Sequence, residues 1–366
     1  MSKKLIIASI VVTLFASVLL FSANKKDEMW KKAITEKDTK LRFDYLKEYE
    51  ALYGEKKDKV ARYLYLNLAN AAYKLQNFDE TIKYGEEALT FDETDATNRL
   101  NVFFMLANAF KVTKNDLDKS AYYAQQTIDL ANELIKKREE VDRDPEAMQK
   151  FINNYKTFFL APALRIQSQL LYSKGKDNVA LLKESTQKAC EAFKIDGSER
   201  SSDLVFTLAY NLYKKQATND AIEALLIILN KEKPEHKVSY LLANSYIRKN
   251  DKDKAAEYFE LAYQSSKKAA LAEKIGKLVH KKNIDKGIKY FAEAFVLMNS
   301  NKQSDVYKYL ENLYFNKPDV KSKTPAEQEK GFRAIINAAR VRLGKAPVSA
   351  PSPEAEQTTE SQTETT

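Results

Sequence analysis

Residues 202–269 decide the fold. Ser202–Glu235 reads SDLVFTLAYNLYKKQATNDAIEALLIILNKEKPE, and His236–Ala269 reads HKVSYLLANSYIRKNDKDKAAEYFELAYQSSKKA. Laid over one another, Leu208 falls on Leu242, Ala209 on Ala243, Leu212 on Tyr246, Ala221 on Ala255, Leu225 on Phe259 and Ile228 on Ala262, each pair 34 residues apart. Small residues recur where two helices would cross closely, and large ones fill the space beside them, as interdigitated helix pairs require. A single helical hairpin cannot bury its apolar face, so three or more must stack.

The same pattern recurs upstream. Leu68, Ala69, Ala72 and Tyr73 form a first helix that runs into the polar turn Gln76-Asn77, and Thr81, Ile82, Tyr84 and Ala88 form a second. A weaker copy starts at Phe103, with Leu106, Ala107 and Phe110 followed by Ser120, Ala124 and Ile128. Downstream, Lys274–Lys282 is a degraded first helix, and Gly287, Phe291 and Ala294 keep the second.

These spacings resemble the tetratricopeptide repeat family, whose 34-residue pattern is W-x2-L-G-x2-Y…A-x3-F…P. Val205, Leu208, Ala209, Leu212, Ala221, Leu225 and Ile228 match it, with Pro234 one place late; so do Ser239, Leu242, Ala243, Tyr246, Ala255, Phe259 and Ala262. Around residue 68 the matches are Tyr65, Leu68, Ala69, Ala72, Thr81, Gly85 and Ala88, while the family's Trp is missing throughout. The resemblance covers roughly residues 61–300. It implies an all-α chain, a right-handed superhelical solenoid of stacked antiparallel hairpins.

Around this body the chain divides further. Residues 24–60 read as capping helices with Trp30, Ile34, Leu41, Phe43 and Leu46 turned inward, and residues 61–343 as the repeat domain. Within that domain Ala121–Val141 reads as one long helix, Pro145 starts another, and Ala163–Ser173 with Val179–Phe193 forms a looser hairpin. Tyr307–Phe315 and Ala326–Leu343 make a last pair. Residues 344–366, rich in Pro, Ser, Thr and Glu and without a basic residue beyond Lys345, are expected to be a disordered tail.

Lys3 and Lys4 precede an uncharged stretch from Leu5 to Ala23, which as a helix would span about 28 Å. This predicts export to the periplasm or cell envelope, with residues 1–23 a signal peptide or a membrane anchor. Cleavage near Ala23 and retention as an anchor, with membrane association through residues 5–23, both stay open.

Composition narrows the chemistry. Eight Gly and eight Pro in 366 residues are few, and no two glycines lie closer than eleven residues. Phosphate-cradling glycine loops need them closer, because only Gly lets several backbone N–H groups converge on an anion. One Cys, Cys190, precludes an internal disulfide and a Cys-based zinc cluster, and two His preclude a three-His metal site. Pairing Cys190 with His236 or His280 as nucleophile and base finds no strained nucleophile turn nearby. No cofactor and no enzymatic activity are expected.

In the family, the first helix of each repeat faces a concave groove. The resemblance therefore places Tyr63, Asn70, Tyr73 and Lys74 on that face, then Phe104 and Asn108, Gln169, Phe206, Tyr210, Tyr213, Lys214, Tyr240, Asn244 and Arg248. Asn70, Asn108, Gln169, Tyr210 and Asn244 form a ladder that can bond the backbone of an extended peptide, or tie one repeat to the next. The two-carboxylate clamp known in such grooves needs Lys where Leu66 stands. The expected function is a non-catalytic protein- or peptide-binding scaffold in the envelope, the alternative being an assembly subunit that uses its convex faces. Lysines 267, 268, 274, 277, 281, 282, 286 and 289 read as a solvated basic face, without the interleaved aromatics and arginines of a nucleic-acid site. Neither a nucleic acid nor a small-molecule substrate is expected.

Overall fold

The computed structural model describes residues 25–348, apart from 55–58, 92–93, 115 and 142–143. The export segment at residues 1–23 and the tail from residue 349 lie outside the described residues. Among the described residues every regular element is a helix, and none is long and apolar enough to cross a membrane. The chain falls into two compact units, Met1–Leu212 and Tyr213–Thr366.

The first unit begins with helical residues 25–35 (α1) and α2 (Thr39–Tyr53), followed by α3 (Lys59–Lys74), α4 (Phe78–Ala88), α5 (Ala96–Thr113) and α6 (Leu117–Val141). Next come α7 (Pro145–Tyr155), a π turn (Lys156–Leu160), α8 (Ala161–Gly175), α9 (Val179–Asp196) and α10 (Glu199–Lys214), which reaches the boundary between the units. α3 packs on α4, α5 on α6 and α8 on α9. Close crossing is visible where a hydroxyl on one helix reaches the backbone of its mate: Ser120 Oγ donates to Ala107 O at 2.7 Å, and Ser185 Oγ to Ser168 O at 2.8 Å.

The second unit holds α11 (Thr218–Ile228), α12 (His236–Arg248), α13 (Lys252–Ser266), α14 (Ala269–Val279) and α15 (Ile284–Leu297). α16 (Asp305–Phe315), the short α17 (Pro318–Lys321) and α18 (Pro325–Arg342) complete it. The pairs are α12 with α13 and α14 with α15, and α18 lies against α15. There Arg342 pairs at 2.6 Å with Glu293, a carboxylate only 5 % exposed.

All six matched pairs from the two repeats are buried, from Leu208 and Leu242 through to Ile228 and Ala262. The period also shows in side chains that reach back one repeat. Tyr84 Oη donates to Glu50 at 2.9 Å, 34 residues away, and Lys47 pairs with Glu80 at 2.9 Å, 33 away. Lys119 pairs with Glu86 at 2.6 Å, 33 away, and Lys274 Nζ donates to Tyr240 Oη at 3.0 Å, 34 away. The contacts at Glu50 and Lys47 put the α1–α2 hairpin on the same spacing as the repeats behind it. In that hairpin Phe43 and Leu46 are buried and Trp30 is packed beside them, but Ile34 and Leu41 face solvent. Ala33 and Tyr49 take the inward places, with the Trp30 and Tyr49 rings 5.2 Å apart. Ile34 and Leu41 thus lie beside the buried stripe rather than on it.

Turn chemistry is done almost without glycine. Gln76, Gln216 and Asn250 each hold a left-handed backbone between two helices (φ 58°, 66° and 59°), and Asn250 lies one repeat after Gln216. Asn77, Asp251 and Asn283 then cap the second helices, each accepting from the backbone N–H three residues on.

The segment between residues 145 and 175 differs from the expected separate helices. It runs continuously through the π turn, with Asp144 capping its start and Pro145 in the first turn. Pro162 has no N–H to donate and its ring crowds the carbonyl four residues earlier, and the wider π turn just before it relieves both problems. It also directs Phe158 outward, 62 % exposed, and sets Phe159 edge-on to Phe104 at 6.1 Å.

Candidate functional site

In the first unit the expected face is built from α3, α5 and α8. Tyr63 is exposed, with the Arg62 guanidinium 4.6 Å from its ring centre. Asn70 and Lys74 are exposed and line a small hollow with Lys37, Thr39, Arg42 and Asn67. Leu66 packs against the apolar core. One turn further on, the face closes on itself. Asn108 Nδ2 donates to Tyr73 Oη at 3.0 Å, and the Tyr73 ring meets Phe78 and Phe104 edge-on. Burial pushes the Tyr73 phenol up, with the Asn108 bond pulling the other way. Asn108 thus spends an amide proton on tying α5 to α3.

Gln169 accepts from Lys111 Nζ at 2.7 Å. Burial, with Arg200 and Arg165 adding like charge, holds the Lys111 ammonium below the usual lysine value. Arg165 is neutralised by Asp196, which also accepts from the Ser198 and Ser201 hydroxyls. Burial alone would raise the Asp196 carboxyl, but Ser198, Ser201 and Arg165 together bring it below its ordinary value. Phe206 is half-buried and Tyr210 exposed on α10.

In the second unit, cations lie on tyrosines two helices back in the chain. The Arg248 guanidinium sits 3.7 Å from the centre of the Tyr213 ring and donates to the Tyr213 carbonyl. Lys274 donates to the Tyr240 hydroxyl and stands 4.9 Å from that ring's centre and 5.3 Å from that of Phe259. Among the described residues neither cation has a carboxylate within ion-pair distance. The His236 ring stacks on Tyr240, with centroids 5.6 Å apart. Asn244 bonds back to its own helix, donating to Tyr240 O at 2.8 Å, and Lys214 is exposed.

Sequence reading ended the face at Arg248, but it continues. Phe206, Tyr240, Lys274 and Lys308 follow one another at 34-residue steps, a signal present in the sequence. A further hollow lies between α14 and α16, floored by Phe291 and Tyr309 and edged by Glu273, Lys277, Asp305 and Lys308. The basic stretch is largely spent on neighbours: Lys277 pairs with Glu273, Lys282 with Asp253 and Lys286 with Glu260, while Lys267 and Lys289 lie over Tyr263 and Tyr290.

Cys190 is buried in α9, and burial pushes its thiol up to about 11, so it is protonated at neutral pH. The His236 and His280 rings sit against backbone carbonyls, of Ala262 and of Gly276 and Lys277. Among the described residues no group of three His, Cys, Asp or Glu side chains is placed to hold a metal ion.

No protein-family model matches the chain, and no curated protein matches it. Among solved structures it is similar to the C-terminal part of a TPR repeat-containing protein from Cytophaga hutchinsonii, at 15% identity and a TM-score of 0.39, over 76% of this chain and 96% of that one. It is also similar to residues 1–338 of an assembly chaperone of RpL4, at 12% identity and a TM-score of 0.31, over 92% of this chain and 99% of that one. The tetratricopeptide-like architecture stands on the chain's own period, which buries the matched positions and sets the side-chain ladder.

Proposed function

We propose that the chain is a non-catalytic scaffold that binds an extended, acidic segment of a partner protein along its first-helix faces. One observation carries this reading: Arg248 on α12 and Lys274 on α14 each reach back about one repeat to lie over a tyrosine, Tyr213 and Tyr240, and among the described residues neither has a carboxylate within ion-pair distance. A cation laid on a ring is already positioned, so a partner's carboxylate meets it at little cost in side-chain freedom, and tyrosine adds stiff contact area. The basic balance of the chain, 60 Lys+Arg against 51 Asp+Glu, favours such a partner over a basic one.

The assembly-subunit alternative draws on one feature, the outward-facing Phe158 at the π turn. Changing Tyr210, Asn244 and Arg248 together to Ala separates the two readings. Loss of partner recovery with helicity intact supports the groove, whereas unchanged recovery sinks it and favours the assembly reading.

The proposal places the scaffold in the cell envelope, on the strength of Lys3, Lys4 and the uncharged run from Leu5 to Ala23. Fractionation of cells into soluble, envelope and membrane pools tests this. Recovery solely in the cytosol defeats it.

A further inference from the structure

After α18 the chain turns back at Gly344 (φ +68°) and runs along the helix it has just left. Lys345 N donates to Arg340 O at 2.8 Å, and the Arg340 side chain donates to Ala346 O. Asn337 then holds the backbone of Val348 with both ends of its amide: Val348 N donates to Oδ1 at 2.8 Å, and Nδ2 donates to Val348 O at 3.2 Å. A side-chain amide that takes both the N–H and the C=O of one residue fixes an extended strand in place. Beside Val348 lies an open hollow of about 470 Å³ lined by Ala326, Ala334, Glu329, Lys330 and Arg333; Arg333 pairs with Glu329, which leaves Lys330 as its unpaired cation among the described residues.

We propose that this face of α18 is the docking site of the chain's own segment 349–354. Three observations select that occupant. The strand already on the helix leads into the hollow, in the direction of Ala326. Asn337 to Ala326 is eleven residues of helix, about 16 Å of rise, and residues 349–353 in a polyproline conformation span about the same length. Pro351 and Pro353 favour that conformation and need no backbone donor satisfied. Finally, residues 349–366 carry four Glu and no basic residue, and the segment would pass Lys330, which has no carboxylate partner among the described residues, and bring Glu354 to the first turn of α18, whose positive end favours a carboxylate. Once docked, the segment covers the exposed face of α18. The inference does not depend on which peptide the first-helix faces take.

Digestion of the full chain with a glutamate-specific protease tests it, with cuts after Glu354 and Glu364 followed by mass spectrometry. Glu354 is expected to be cut at least fivefold more slowly than Glu364, and Lys330→Glu with Asn337→Ala to erase the difference while helicity is kept. Equal rates in the unaltered chain, or a difference that survives the double change, overturns the proposal. A second readout puts Cys at positions 334 and 350 (Ala334→Cys, Ala350→Cys) in a Cys190→Ser background under mild oxidation. A disulfide within the monomer is expected. A disulfide-linked dimer, which would seat a second copy's tail there, or no disulfide at all, overturns it.

Discussion

Lys274 reaches back one full repeat to Tyr240, donating to its hydroxyl at 3.0 Å with the ammonium 4.9 Å from the ring centre. The hydrogen bond from Lys274, with its charge, draws the Tyr240 phenol below the usual value of 10. With a folded value below the unfolded one, the pair adds stability at alkaline pH, present above 10 and lost as pH falls through the lowered folded value. Tyr240 is therefore expected to titrate before Tyr258 and Tyr263, whose phenols burial pushes up, and Lys274→Met to move it back up. Tyrosine-ring carbon NMR reads the titration, and a midpoint that does not move with the substitution excludes the coupling.

Arg165 and Asp196 form an enclosed ion pair, with side chains 13 % and 7 % exposed. Removing one partner leaves the other charge buried, so Asp196→Ala should cost about 3 kcal/mol in urea unfolding. Because its folded pKa lies below the ordinary 3.8, the Asp196 contribution is whole above that value and disappears as pH falls through the lower one. A loss under 0.5 kcal/mol would place the pair among exposed ones.

Ala209 and Ala243 are fully buried at matching positions of consecutive repeats. Each Ala→Leu change should overpack a helix crossing by about 1–3 kcal/mol. Gly276→Ala tests the same point on a smaller scale, since an added Cβ would meet the Phe291 ring at 2.9 Å. Melting temperatures unchanged by all three would contradict close crossing.

The left-handed turns give a graded prediction. A glutamine there carries strain of about 1–2 kcal/mol, whereas asparagine tolerates the conformation better through its short polar side chain. Gln216→Gly should therefore stabilise the chain by up to about 1 kcal/mol, and Asn250→Gly by less. The opposite order would mean the side chains, not the backbone, set the cost.

Cys190 should resist alkylation at pH 8 in the folded chain and react once urea unfolds it, since burial keeps the thiol protonated. Mass spectrometry of iodoacetamide-treated protein reads this directly. Rapid modification of folded protein would show an accessible thiolate.

The repeat body was legible because its signal is redundant: six apolar matches at one spacing survive the loss of the family's Trp. The turns were less legible, since Gln76 and Gln216 hold backbones for which glycine is the usual sign. Nothing in residues 145–175 announces a π turn except Pro162, which by itself suggests a break. The candidate face was legible as a set of positions but not as a set of bonds. Whether Asn108 is offered to a peptide or spent on Tyr73 depends on the register between α3 and α5, which only folding sets. Lys274 belongs to a basic run whose charge masks its 34-residue step from Tyr240.

The π turn has a developmental meaning for the helix that contains it. One surplus residue between Tyr155 and Ala161 rotates all that follows by roughly 100° about the axis. Excising a single residue there would swing the downstream stripe away from its present partners, uncoupling Phe159 from Phe104 and turning Phe158 from outlook to inlay. A length change of one amino acid is thus enough to re-aim an aromatic pair without altering either ring.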